Sequence, residues 1–136
     1  MLIRTALVSA AAFTTTACVT ATEPPRDCEG IECVALDEEF ETGAVAVTPI
    51  EVLEDSRCPI NARCVWAGQV RIRAQVERGG QETLVELTSG EALPVYSGSL
   101  TLSQLWPAVT TQEQISGPEA YRFHFTWTPH MLDTQQ

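Results

Sequence analysis

Lysine is missing from this 136-residue chain: the 8 basic residues are all arginine, set against 18 acids, for a formal charge of -10. That shortage of cations excludes nucleic acid as a general partner, because affinity for phosphate backbones comes from basic residues that displace counterions. It equally excludes adhesion to an anionic lipid surface through charge. Histidine is nearly as scarce. His124 and His130 are the only two, six positions apart and without HxH or HExxH spacing, so neither a zinc nor a copper site is expected, and no cofactor is. No G-x-S-x-G marks a nucleophile elbow, and the cysteines read as disulfide partners rather than nucleophiles. A run of acids at Glu23, Asp27, Glu29, Glu32, Asp37, Glu38, Glu39 and Glu41 lacks the ligand repeat and turn glycine of a calcium loop, and reads as solvated. Amphipathic helical periodicity and internal repeats are absent too. The length suits one domain with one modest core.

What is present starts with a leader. "MLIRTALVSAAAFTTTAC" carries Arg4 in a short n-region, an apolar stretch from Ala6 to Phe13, and small residues before Cys18. The apolar stretch is too short to span a bilayer. Thr-Thr-Ala-Cys resembles the lipobox of bacterial lipoproteins, with Ala17 in place and Thr15 where leucine is usual. The resemblance implies cleavage before Cys18, acylation of that cysteine, and a mature chain beginning Cys18-Val19. With Val19 rather than aspartate at the second position, it also implies outer-membrane delivery. Cysteine arithmetic agrees: of 5 cysteines, lipid at Cys18 leaves an even set, Cys28, Cys33, Cys58 and Cys64. More than one acyl chain anchors stably. Four cysteines allow three pairings; the two local ones, Cys28–Cys33 and Cys58–Cys64, are favoured because crossed pairs would need the N-terminal segment folded over the second loop. Disulfides place the domain in an oxidising compartment. An ordinary secreted protein is the alternative.

The expected organisation is a signal peptide over 1–17, a lipidated flexible tether over 18–33, a single β domain over 34–130 and a C-terminal tail over 131–136. The tether is rich in Thr, Pro and Glu, with Pro24 and Pro25 stiffening it. In the domain, Val70, Ile72, Ala74 and Val76 alternate with Gln69, Arg71, Arg73, Gln75 and Glu77, a half-buried strand. "ERGGQE" then turns the chain, and Thr83, Val85 and Leu87 share one face of a returning strand, completing a hairpin. Tyr121, Phe123, Phe125 and Trp127 form a core face opposite Arg122, His124 and Thr126, ending at Pro129. Weaker strands are predicted at Val45–Thr48, Ile50–Leu53, Leu100–Ser103 and around Val34–Phe40, with only a turn before Pro107. Six or seven short antiparallel strands imply an all-β fold, a small antiparallel sandwich or barrel.

One segment is denser than the rest: "EDSRCPINARCVWAGQVRIR", residues 54–73. A Cys58–Cys64 bridge, stiffened by Pro59, would contribute about 2 kcal/mol by the chain-entropy argument. Asp55 is placed to accept backbone N–H groups at the loop start, and Arg57 to pair bidentately with a carboxylate. If the following strand starts early and stays in register, Trp66 and Gly68 share the face of Val70 and Ile72. Trp66 then covers the disulfide from the core side, and Gly68 leaves room for a bulky neighbour. Read this way the segment is a braced corner, with Asp55, Arg57, Asn61 and Arg63 as the candidate recognition residues on a rigid loop.

Asp55, Ser56, Arg57, Cys58 and Pro59, followed by Cys64, Trp66, Ala67 and Gly68, resemble the DSRCP…C-x-WAG motif of a family of small bacterial lipoproteins and secreted proteins. The resemblance covers about a tenth of the chain. It implies an exported β domain and brings no catalytic residues. The expectation that follows is a non-catalytic, lipid-anchored envelope domain that binds a protein or a glycan through loops around 55–63. A small hydrolase using exposed carboxylates and a structural or stress-related envelope protein without a discrete ligand are the alternatives.

Overall fold

The computed structural model describes residues 27–131. The expected signal peptide, Cys18 with its lipid, the tether up to position 26 and all but the first residue of the tail lie outside them. Among the described residues nine strands form, all paired antiparallel, with a single 3-10 turn at Pro118–Ala120 and no α-helix. A hairpin of β1 (Asp27–Cys28) and β2 (Ile31–Glu32) comes first. A four-stranded sheet follows, ordered β3 (Phe40–Glu41), β4 (Ala46–Asp55), β5 (Val70–Arg78), β6 (Gln81–Thr88). The second sheet has three strands: β7 (Ala92–Val95), β8 (Gly98–Trp106) and β9 (Arg122–Pro129).

The alternation that marked β5 does what the pleat requires. Val70, Ile72, Ala74 and Val76 are fully buried while the residues between them stay partly exposed. Leu87 of β6 and Val47 of β4 join them, and Leu100, Leu102, Phe123 and Phe125 supply the other half of the same core. Phe40 sits edge-on to Phe125, ring centroids 5.6 Å apart, and Phe123 stacks on Tyr121 at 6.0 Å. Two sheets with one shared core make an antiparallel sandwich. On the outer face, Arg71 reaches Glu54 and Glu86 at 3.5 Å each, and Arg73 reaches Glu51 at 2.7 Å. These exposed pairs are worth a few tenths of a kcal/mol each; they offset like charge across the sheet more than they hold it together.

The elements depart from expectation where local chemistry is unusual. The two strands predicted at 45–48 and 50–53 are one, β4, whose register slips between Pro49 and Glu51 and again between Val52 and Glu54. Proline cannot donate to a ladder, and a bulge accommodates it without ending the strand. The strand predicted over 34–40 shrinks to a bridge at Val34, which exchanges N–H···O bonds of 3.0 and 2.8 Å with Phe123, and to the short β3. β8 runs to Trp106, past the turn foreseen there, and β7 had no counterpart in the sequence reading.

The largest change concerns residues 27–33, assigned to a flexible tether. Glu29 and Gly30, at φ 58° and 86°, form the tight turn a two-residue hairpin needs, and a Cys28–Cys33 disulfide closes it. Both half-cystines are buried. His124 Nδ1 lies 2.8 Å from the Glu32 carbonyl oxygen, and Trp106 Nε1–H donates to Glu29 Oε2 at 3.2 Å. The hairpin is thereby fixed to the three-stranded sheet, and the ordered body begins at least seven residues before position 34.

Candidate functional site

The dense segment forms the β4–β5 connection. Strand pairing outlasts the strands: Ser56 N–H donates to the Gln69 carbonyl at 2.9 Å and Cys58 N–H to the Ala67 carbonyl at 3.0 Å. The Ser56 hydroxyl ties in as well, accepting from Gln69 N–H at 3.1 Å. Beyond Cys58 the chain turns at Pro59, whose carbonyl accepts from Ala62 N–H at 3.0 Å, and the Cys58–Cys64 disulfide closes the loop.

Asp55 and Arg57 flank the base of this loop and face each other. Arg57 Nε–H donates to Asp55 Oδ1 at 2.9 Å and an Nη2–H to Oδ2 at 2.7 Å, the bidentate fork that planar guanidinium favours. Arg57 backbone N–H adds a weaker bond to Oδ1 at 3.3 Å, as foreseen for a carboxylate at the loop start. Two contacts bring in distant chain. The Tyr121 hydroxyl donates to Asp55 Oδ2 at 2.9 Å, and Arg57 Nη1–H donates to the Pro107 carbonyl at 3.0 Å. The cluster thus rivets the four-stranded sheet to the three-stranded one at the end of the sandwich.

Burial works against the Asp55 charge, but the hydrogen bonds from Arg57 and Tyr121 and the guanidinium charge outweigh it, and the carboxyl is held below the ordinary aspartate value. The Tyr121 phenol moves the other way: burial first, then its bond to the Asp55 carboxylate, push it up to about 12. A group with a raised folded pKa stabilises the fold fully below its unfolded value, near 10 for tyrosine, and loses that contribution as pH rises toward 12. The midpoint of urea unfolding is therefore expected to fall between pH 10 and 11 more steeply in the wild type than in Tyr121→Phe. Parallel profiles would mean that the phenol is not tied to Asp55.

A cleft of about 200 Å³ lies against this cluster, lined by Asp55, Arg57, Val109, Gln114, Ile115 and Tyr121. Both Asp55 oxygens are already engaged, by Arg57 and by Tyr121, and a carboxylate held ionised in this way is a weak proton acceptor. Neighbouring Glu54 is tied to Ser56, Gln69 and Arg71. The histidines make separate contacts: His124 packs edge-on against Phe40, and His130 Nε2 lies 2.8 Å from Ser99 Oγ. Among the described residues no group of three or more His, Cys, Asp or Glu is placed to hold a metal.

Of the four predicted recognition residues, Asp55 and Arg57 are spent on each other. Asn61 is exposed but occupied: its Nδ2 donates to Thr111 Oγ1 and Gln112 Oε1, and its Oδ1 accepts from Thr111 N–H at 2.9 Å. With Ile60 N–H on the Val109 carbonyl at 2.9 Å, it latches the loop onto the 107–117 segment. Arg63 alone is exposed and has no hydrogen bond or ion pair among the described residues.

Trp66 is where the sequence reading is overturned. It was expected on the core face; it is 82% exposed, with Val65 at 92% and Ile60 at 75%. The alternation argument needs an uninterrupted extended strand, and β5 begins only at Val70. Gly68 intervenes at φ +71°, a left-handed conformation that interrupts the extended pleat and its alternation of faces, although backbone pairing continues through it to Ala67. Nor does Gly68 leave room for a bulky side chain. A β-carbon there would overlap the Ser56 carbonyl oxygen, so glycine permits the close approach of two backbones. Sequence could have flagged the glycine as a break in the pleat; it could not say which side the tryptophan would take.

No family model, curated protein or solved structure matches this chain.

The motif can then be accounted for position by position. Asp55 and Arg57 form the rivet, Ser56 the clasp with Gln69, Cys58 and Cys64 the staple, and Pro59 and Ala67 backbone acceptors. Gly68 is the close approach. Trp66 takes part in none of this, and with Ile60 and Val65 it leaves three large apolar side chains of one short loop exposed.

Proposed function

We propose that this chain is a non-catalytic domain of the bacterial cell envelope, tethered through a lipid on Cys18, that makes its contact through the stapled β4–β5 loop. The observation that carries the reading is the exposure of Trp66 on a loop where every other motif residue braces it. Bracing lowers the ordering cost of binding, and Trp and Arg are, with Tyr, the residues enriched where binding energy concentrates. The contact residues are accordingly Ile60, Arg63, Val65 and Trp66, in place of Asp55, Arg57 and Asn61. The resemblance of residues 55–68 to the DSRCP…C-x-WAG family fits the same reading.

Anchoring and contact are tested separately. Cys18→Ser combined with Trp66→Ala is expected to move the protein from the membrane fraction to the soluble envelope fraction; retention of that double variant would remove the lipid. Hydroxyl-radical footprinting of intact cells is expected to find Trp66 protected relative to the purified protein. Equal reactivity would favour a structural protein with no discrete ligand.

A further inference from the structure

The expectation of a protein or glycan partner rested on a loop displaying Arg57, Asn61 and Arg63. The loop has lost two of these polar groups to internal bonds and gained three apolar side chains. A sugar demands an array of hydrogen bonds around a stacking ring, and the loop retains only Arg63 to offer. Ile60, Val65 and Trp66 with one cation match a different chemistry: the interface of a phospholipid bilayer, where tryptophan rings sit at headgroup level and arginine reaches lipid phosphate.

Charge distribution agrees. From Ser56 to Val76 the sequence contains no acid, although the whole chain carries 18. The loop itself therefore brings no negative charge to an anionic surface, and Asp55 at its base is paired with Arg57.

Chain path supplies the independent argument. The segment from Trp106 to Thr111 touches both disulfide loops: Trp106 donates to Glu29 of the N-terminal hairpin, while Pro107, Val109 and Thr111 bond Arg57, Ile60 and Asn61. The N-terminal hairpin and the stapled loop therefore lie at the same end of the sandwich. The hairpin starts at Asp27, and positions 19–26 separate it from Cys18. Fully extended, that leash spans at most ~30 Å, so a lipid on Cys18 holds the hairpin end of the domain within that distance of the membrane.

We infer that the Ile60–Trp66 loop is a second membrane contact: it rests in the interface of the bilayer that holds the lipid anchor and fixes the domain's orientation there. The inference rests on the proposed anchoring, and the test keeps the two apart. The probe is vesicles of phosphatidylethanolamine and phosphatidylglycerol with brominated acyl chains, which quench tryptophan at short range. Intact mass first establishes whether Cys18 is acylated. For acylated mature protein in these vesicles, tryptophan emission is quenched relative to unbrominated vesicles, and the quenching is lost in Trp66→Ala. Unquenched emission from acylated, vesicle-bound protein overturns the inference while leaving the anchor intact.

If the mass shows no acylation, the anchor fails by itself, and soluble Cys18→Ser protein decides the loop. Flotation with these vesicles that Trp66→Ala weakens by about tenfold or more sustains it, the scale of one buried indole; no flotation overturns it. Three other results also overturn it: a dimer in sedimentation that Trp66→Ala dissociates, Trp66-dependent binding to purified peptidoglycan, or a Trp66-dependent complex with a single envelope protein. Trp66→Ala removes an exposed side chain, so its melting temperature should match the wild type and make these results readable.

Discussion

Gly68→Ala is expected to lower the stability of the domain by about 3 kcal/mol, out of proportion to the addition of one methyl group. Two costs combine. The left-handed φ of +71° is unfavourable for any residue with a β-carbon, at about 1–2 kcal/mol. The new methyl would also overlap the Ser56 carbonyl. That carbonyl cannot retreat freely, because Ser56 is clasped to Gln69 through both its backbone N–H and its hydroxyl. Gly90 is the internal control: its φ of +78° is similar, and a β-carbon there meets nothing within 4 Å. Gly90→Ala is therefore expected to cost only the conformational part, about 1 kcal/mol. Chemical denaturation of the two variants separates strain from collision. Equal losses would show that the β4 and β5 backbones are not in close approach at the loop base.

Asp55→Ala is expected to cost a similar amount, about 3 kcal/mol, by leaving partners without a counterpart. The Arg57 side chain is 19% exposed and would keep only the Pro107 carbonyl, and the half-buried Tyr121 hydroxyl would lose its acceptor. Because Arg57 and Tyr121 hold the carboxyl below its ordinary value, the stabilisation is present above pH 3.8 and disappears as pH falls through the lower folded value. Wild type and variant should thus differ most near neutrality and converge in acid. A constant difference across that range would mean that the lost energy is packing and not charge. Double substitution with Arg57→Met should restore part of the stability, since it removes the stranded cation.

These two variants bear on how much of the molecule could be read in its sequence. β5 and β9 were legible because each is an uninterrupted pleat with one buried face, so a period of two maps directly onto burial. The two disulfides were legible because loop closure favours near partners. Where the pattern failed, backbone special cases intervened. Pro49 bulged a strand instead of ending it, and Gly68 reversed the side Trp66 faces. The rivet was half legible. A bidentate carboxylate partner for Arg57 follows from guanidinium chemistry, but Tyr121 is 66 positions from Asp55, and only the packing of two sheets brings them together. That two recognition candidates carry internal bonds was illegible for the same reason. Asn61 and Arg57 look displayed in a linear loop, and the 107–117 segment that occupies them is distant in sequence.

The stapled loop as an outward-facing membrane contact is the central claim, and crosslinking from position 66 in living cells tests it most directly. With a photoreactive amino acid in place of Trp66, irradiation should yield the mature protein carrying a phospholipid adduct, seen as a mass increase of one lipid, without a discrete protein–protein band. A single defined protein or peptidoglycan fragment attached at position 66, or no adduct in cells where the protein is membrane-bound, would contradict it.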